Sequence, residues 1–199
     1  AYFNNYKAQD SVQIPAYYVI GKQCTDVLKR LAINKVEYRV MNKDSVVLIK
    51  PLLVKSYENG EKPYEGHYLH REIQAKEDRV EQLSLKRGDV LVPTNQDKRS
   101  FICSVLEPEA PDSYFAWNFF DSYLQQKEYF SPYVFEEIAE QLLKENPKLN
   151  SEFQQKRKSD SKFAKSQWDQ LYYIYKRSRY FESSYMRLPV YKLYNYDKK

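Results

Sequence analysis

A chain of 199 residues with 42% hydrophobic and 30% charged side chains holds enough apolar material for a sizeable core, which argues against general disorder. Its 32 basic and 27 acidic residues leave a net charge of +5, but the signs are mixed along the chain, so no phosphate-tracking stripe for nucleic acid emerges. No run reaches the roughly 18 apolar residues of a membrane span, the opening "AYFNNYKAQD" lacks a basic start and an apolar middle, and without an initiator Met the chain reads as processed or as a fragment.

Residues 1–13 read as an N-terminal arm, and 14–110 as a mostly β subdomain. "PAYYVI" (15–20), "VEYRV" (36–40), "SVVLIKPLLV" (45–54), "GDVLVPT" (88–94) and "SFICSVL" (100–106) are β-branched and aromatic runs between turn formers, and each is expected to be a strand. One short helix interrupts them in "CTDVLKRLAI", with Thr25 as its cap and Val27, Leu28, Leu31 and Ala32 as its apolar stripe. Residues 64–86 alternate weakly and are highly charged, which suits long exposed strands with a turn around Lys76 to Asp78. The polar "NQDKRS" (95–100) is expected to close a hairpin between the runs that flank it.

Residues 111–199 read as a mostly helical subdomain with a terminal strand, either separate or integrated with the first. Phe115, Ala116, Phe119, Phe120, Tyr123 and Leu124 fall along one side of a helix, capped by Asp112 or Ser113, and are expected in the core. Trp117 and Asn118 fall off that stripe, which makes them candidates for contact with a ligand or partner. A second helix is expected from Ser131-Pro132 to Asn146-Pro147 on the stripe Val134, Phe135, Ile138, Ala139, Leu142 and Leu143. A third helix starts there, a fourth starts near Ser161, and "YMRLPVYKLY" (185–194) returns to extended character. The fold class is therefore α+β: a sheet or partly open barrel with one short helix, a helical part packed on it, and a last strand.

Chemistry-bearing patterns are sparse. Cys24 and Cys103 have no CxxC spacing, so cysteine-based zinc is excluded, and they are either a disulfide or two buried thiols. His67 and His70 in "YEGHYLH" are the only histidines; three apart on a strand they diverge, whereas on a turn they could converge with Glu65 or Glu72. Neither cysteine nor serine sits in a nucleophile-exposing turn, and four glycines leave no phosphate-cradling loop. Glu107 and Glu109, beside prolines, are expected to face solvent, and "KRKSDSK" (156–162) to be a solvated junction. The 20 tyrosines suit half-buried positions and peptide or sugar contacts.

"GDVLVPTNQ", "VLEPEAPDSYFAWNFFDSYLQQKEYFSPYVFE" and "YMRLPVYK", with "IPAYYVI" and "YEGHYLH" before them, closely resemble the region after the catalytic domain in bacterial secreted zinc carboxypeptidases of the carboxypeptidase A-like family. The similarity covers residues 14 to 194. That family builds its zinc centre from a His-x-x-Glu pair and a later histidine, with another glutamate as general base. None of this maps here: His67 is followed three places on by His70, and His70 by Ile73. The resemblance implies an accessory region with no catalytic or metal residue and no cofactor of its own, secreted or periplasmic. It would pack on or modulate its own upstream catalytic domain, which would carry the zinc, with Tyr64, Glu65, His67, His70, Trp117 and Asn118 as interface or ligand-binding candidates. Two other readings stand beside it: an independent binding module for cell-surface peptide or glycan, and a small hydrolase assembled from His67, His70 and Glu65.

Overall fold

The computed structural model describes residues 11–194; the expected N-terminal arm lies largely outside the described residues. They form two compact units, residues 11–124 with 186–194, and residues 125–185. The architecture is α+β, with a seven-stranded antiparallel sheet in the first unit, helices in the second, and a final strand.

The sheet runs β2 (Arg39–Val40), β6 (Val90–Pro93), β1 (Tyr17–Ile20), β7 (Arg187–Leu193), β3 (Ser45–Asn59) and β4 (His70–Glu77), with β5 (Glu81–Leu85) also paired to β3. The last strand of the chain is thus a central one, hydrogen-bonded to both β1 and β3. Period-2 alternation puts Tyr18 and Ile20 of β1 in one core with Val90, Val92, Leu188 and Val190. Val19 points the other way and meets Ile49 and Leu85 in a second, smaller core. Pro51 lies inside β3, where the missing N–H coincides with a register shift against β7 between Pro51 and Leu53.

No chain reversal occurs at Lys76 to Asp78. Leu52 faces Glu77 and Ile49 faces Glu81, so β4 and β5 are successive partners along one long strand, broken only at 78–80. The reversal is at residues 60–69, at the far end of β3. "VEYRV" is strand only at Arg39–Val40. Thr25 is the first residue of α1 (Thr25–Ile33); Cys24 takes the cap position and makes no side-chain cap bond.

"SFICSVL" is a helix, α2 (Arg99–Leu106), so the expected hairpin across "NQDKRS" does not form. Ile102, Val105 and Leu106 recur at helical spacing and are all buried, and that periodicity prevails over the strand preference of the residue types. The reverse holds for "YFAWNFF", which winds through turns into a 3-10 segment at Asp121–Tyr123. The Ser113 hydroxyl donates to Pro108 O and accepts from Ala116 N, and Asn118 adopts φ 66, so no regular helix can propagate. The burial expectation fares better than the helix: Phe115, Ala116 and Phe120 are buried, while Phe119, Tyr123 and Leu124 are half-buried.

In the second unit α3 (Pro132–Glu145) starts and ends where the prolines require, with Ser131 before it. Asn146 caps α4 (Pro147–Ser159) by accepting from Leu149 N at 3.1 Å. The helix expected from Ser161 is two, α5 (Ser161–Lys165) and α6 (Gln167–Tyr175), because the Ser166 side chain caps Asp169 N and restarts the turn. Phe135, Ala139, Leu149, Phe153, Phe163, Leu171, Ile174 and Tyr175 form this unit's core.

Asp160 caps α5, accepting from Lys162 N at 3.1 Å and Phe163 N at 3.0 Å. The Phe163 amide, with help from Lys156, holds its carboxyl below the usual carboxylate range. A depressed folded value means that the cap's contribution is full above the unfolded pKa and lost as pH falls through the folded one. The Phe163 amide proton shift is therefore expected to titrate in acid below the ordinary Asp midpoint and to stay flat in Asp160→Asn, as followed by NMR.

Candidate functional site

Five of the six candidates, with Trp117 at their centre, come from a hairpin tip and the aromatic turn. Tyr64 and His67 exchange backbone hydrogen bonds at 2.8 and 2.9 Å around Glu65 and Gly66, whose φ values are 47 and 83. Two successive positive φ values define the type I′ turn, and glycine at its second corner is the residue that takes φ 83 without strain. Gly66→Ala is expected to destabilise the unit by about 1 kcal/mol, read by urea denaturation, because a Cβ is strained there even though nothing crowds it.

This turn lays its side chains on the aromatic segment. The Tyr64 and His67 rings lie 6.1 and 5.6 Å from Trp117, the second edge-on. Tyr64 is 56% exposed and Trp117 half-buried, so together they form an accessible ridge. Glu65 sits exposed at the corner. Beside the ridge opens a cleft of about 450 Å³, walled by His67, Trp117, Asn118 and Tyr123 on one side and by Gln23 and Arg30 near α1 on the other. Arg30 covers the Phe119 ring at 4.3 Å. Burial and the neighbouring Cys24 push the Tyr123 phenol up to about 12, so it acts as a neutral hydroxyl.

His70 does a different job from His67. It is buried, its ring packed 4.4 Å from Tyr57 and 5.0 Å from Phe115. Nδ1 meets Asn59 Oδ1 at 2.8 Å and Nε2 meets the Asp121 carboxylate at 2.9 Å. The Asp121 carboxylate only accepts, so the Nε2–H tautomer suits that contact, and the Asn118 Nδ2 lies 3.3 Å from the same nitrogen. His70 thereby ties β3, β4 and the aromatic turn together, and its backbone N–H donates to Ala116 O. Asn118 donates from Nδ2 to Tyr68 O at 2.9 Å, while its Oδ1 is buried without a hydrogen-bond partner among the described residues.

Asn59, Asp121, Gln23 and Arg30 carry no signal in the sequence, because their nearness to the candidates depends on strand register and on the turn at 113–123. The acids beside the prolines divide. Glu109 is exposed and accepts from Ala75 N at 2.7 Å, closing the outer edge of β4. Glu107, expected in solvent, is buried: it bonds the Tyr18 hydroxyl and pairs with Lys192 at 2.8 Å. Burial and that carboxylate push the Tyr18 phenol far above its usual range. Cys24 and Cys103 are separate free thiols, both raised by burial.

Among the described residues, no group of three or more His, Cys, Asp or Glu side chains is placed to hold a metal ion, and no helix is long and apolar enough to cross a membrane. No family model, curated protein or solved structure matches this chain.

Proposed function

We propose that this chain is a non-catalytic accessory module that follows the catalytic domain of a secreted or periplasmic zinc carboxypeptidase and packs on or modulates it, with the aromatic ridge as an interface or rim. The motif resemblance supplies the family. The observation that carries the non-catalytic part is the division of labour between the two histidines: both ring nitrogens of His70 are engaged inside the fold, and His67 lies against Trp117 on an exposed aromatic ridge. Among the described residues, rings held this way position a surface, and the contacts that hold them are to an amide, a carboxylate and an indole, none of which is a nucleophile for a histidine base. A module that binds peptide or glycan on its own is the second reading, favoured by the cleft beside the ridge.

Two assays on the purified chain test the accessory reading. It is expected to hold no stoichiometric zinc by elemental analysis and to release no C-terminal residue from N-blocked peptides. One zinc per chain, or turnover that His67→Ala abolishes, overturns it.

A further inference from the structure

We infer that the cleft between Trp117 and the start of α1 is a binding site for a neutral carbohydrate. This rests on reading the chain as a non-catalytic accessory and adds the class of ligand. At about 450 Å³ the cleft falls within the roughly 300–1,000 Å³ usual for small-ligand sites. Its walls combine aromatic surface from Trp117 and Tyr123 with neutral polar groups, Gln23, Thr25 and Asn118, while the Phe119 ring beside them is covered by Arg30. That pairing suits a sugar, whose ring presents apolar C–H faces to an aromatic plane and hydroxyls to amides at its rim.

Charge argues for a neutral ligand. Asp26 pairs with Lys29 at 3.7 Å, and the Arg30 guanidinium is engaged by the Asp26 backbone carbonyl at 3.3 Å and by the Phe119 ring it covers, so neither charge points unengaged into the cleft. Shape argues against an extended peptide, which gains affinity by adding to a strand edge. The cleft is walled by a helix start and two turns and not by a strand edge, and on the outer edge of β4 the Ala75 and His70 amides are already taken by Glu109 and by Ala116 O. One acceptor has capacity left over: Asn118 Oδ1, buried without a partner among the described residues, at a backbone position held at φ 66. A ligand hydroxyl would supply the missing donor once the Asn118 side chain turns this oxygen, now shut off from solvent, toward the cleft. Gln23 is exposed, and its carboxamide lies where a Cβ on Gly21 would stand, so Gly21 gives it room at the cleft mouth.

The test is an NMR titration of the 199-residue chain with cellotriose, chitotriose, maltotriose and mannotriose, with acetyl-Ala-Phe-Ala-amide as the peptide probe. The chain's two tryptophans give two indole N–H reporters, Trp117 in the cleft and Trp168 in the other unit. At least one trisaccharide is expected to shift the Trp117 indole saturably and leave Trp168 unmoved. Trp117→Ala, which removes that reporter and is followed on the Asn118 backbone amide, is expected to weaken that binding at least about tenfold, and the exposed Gln23→Ala, checked for an unchanged fold because Gln23 bonds Tyr123, about threefold. Four outcomes would each overturn the inference: no trisaccharide moving Trp117, a response to the tripeptide alone, equal shifts at Trp168, or wild-type affinity in a folded Gln23→Ala. A blank saccharide titration leaves the accessory reading standing, whereas zinc uptake or peptide hydrolysis by the chain removes that reading and leaves the titration intact.

Discussion

Lys192→Met is expected to cost the chain about 3–5 kcal/mol of stability, since removing one partner of a buried ion pair strands the other. Lys192 lies in the central strand β7 and is 2% exposed. Its ammonium bonds Glu107 at 2.8 Å and Glu77 at 3.2 Å. Glu77 has Lys50 at 2.9 Å and Tyr194 at 2.6 Å to fall back on, but Glu107, 5% exposed, would keep only the Tyr18 hydroxyl among the described residues. The double change Lys192→Met with Glu107→Gln removes both charges and is expected to recover much of the loss, because the desolvated carboxylate disappears with its partner. Urea denaturation of the two singles and the double gives the coupling directly. Additive losses would mean that Glu107 and Lys192 are not the paired groups described here.

Phe115→Ala is expected to cost about 3–5 kcal/mol, the range for deleting a fully buried ring. Phe115 is 1% exposed and packs 5.0 Å from His70 and 5.7 Å from Tyr57, so the cavity would open beneath the residue that joins β4 to the aromatic turn. The cleft wall should loosen with it, seen as faster exchange of the Trp117 and Asn118 amides. Phe119→Ala should cost clearly less, since Phe119 is only half-buried and covered by Arg30. On a regular helix with all six stripe residues inward, the two losses would be similar; their inequality reports the turn.

Much of the fold is legible in the sequence because burial periodicity survives the errors in element type. Pro132 and Asn146-Pro147 set the limits of α3 through backbone geometry alone, and the final strand announces itself by composition. The segment 100–106 misleads because β-branched residues and a helical spacing coexist there, and only packing against the sheet decides between them. The segment 113–124 misleads in the other direction: its spacing is helical, but Ser113 and Asn118 supply local hydrogen bonds and a left-handed backbone that break it.

Of the sequence candidates, His67, Trp117 and Asn118 line the cleft, while the geometry that gathers them with Gln23 and Arg30 is not legible in the sequence. Trp117 and Asn118 stood out for falling off a stripe, and they do face the cleft, although the stripe belongs to no helix. Tyr64 and His67 reach Trp117 because the chain reverses at 60–69 and not at Lys76 to Asp78. The Asn59–His70–Asp121 tie joins residues 11 and 51 positions apart, a separation no local pattern encodes.

That tie is also where the central proposal, that His67 forms part of the cleft wall, His70 ties the fold together and neither ring takes up zinc, is most directly measurable. Long-range proton–nitrogen correlation spectra of the two imidazoles, recorded before and after adding one equivalent of zinc, separate the alternatives. The prediction is a His70 ring whose Nε2 keeps its proton and whose signals are unchanged by zinc, beside an independently behaving His67. A His70 Nε2 without its proton, or both rings shifting together as zinc is added, would contradict it.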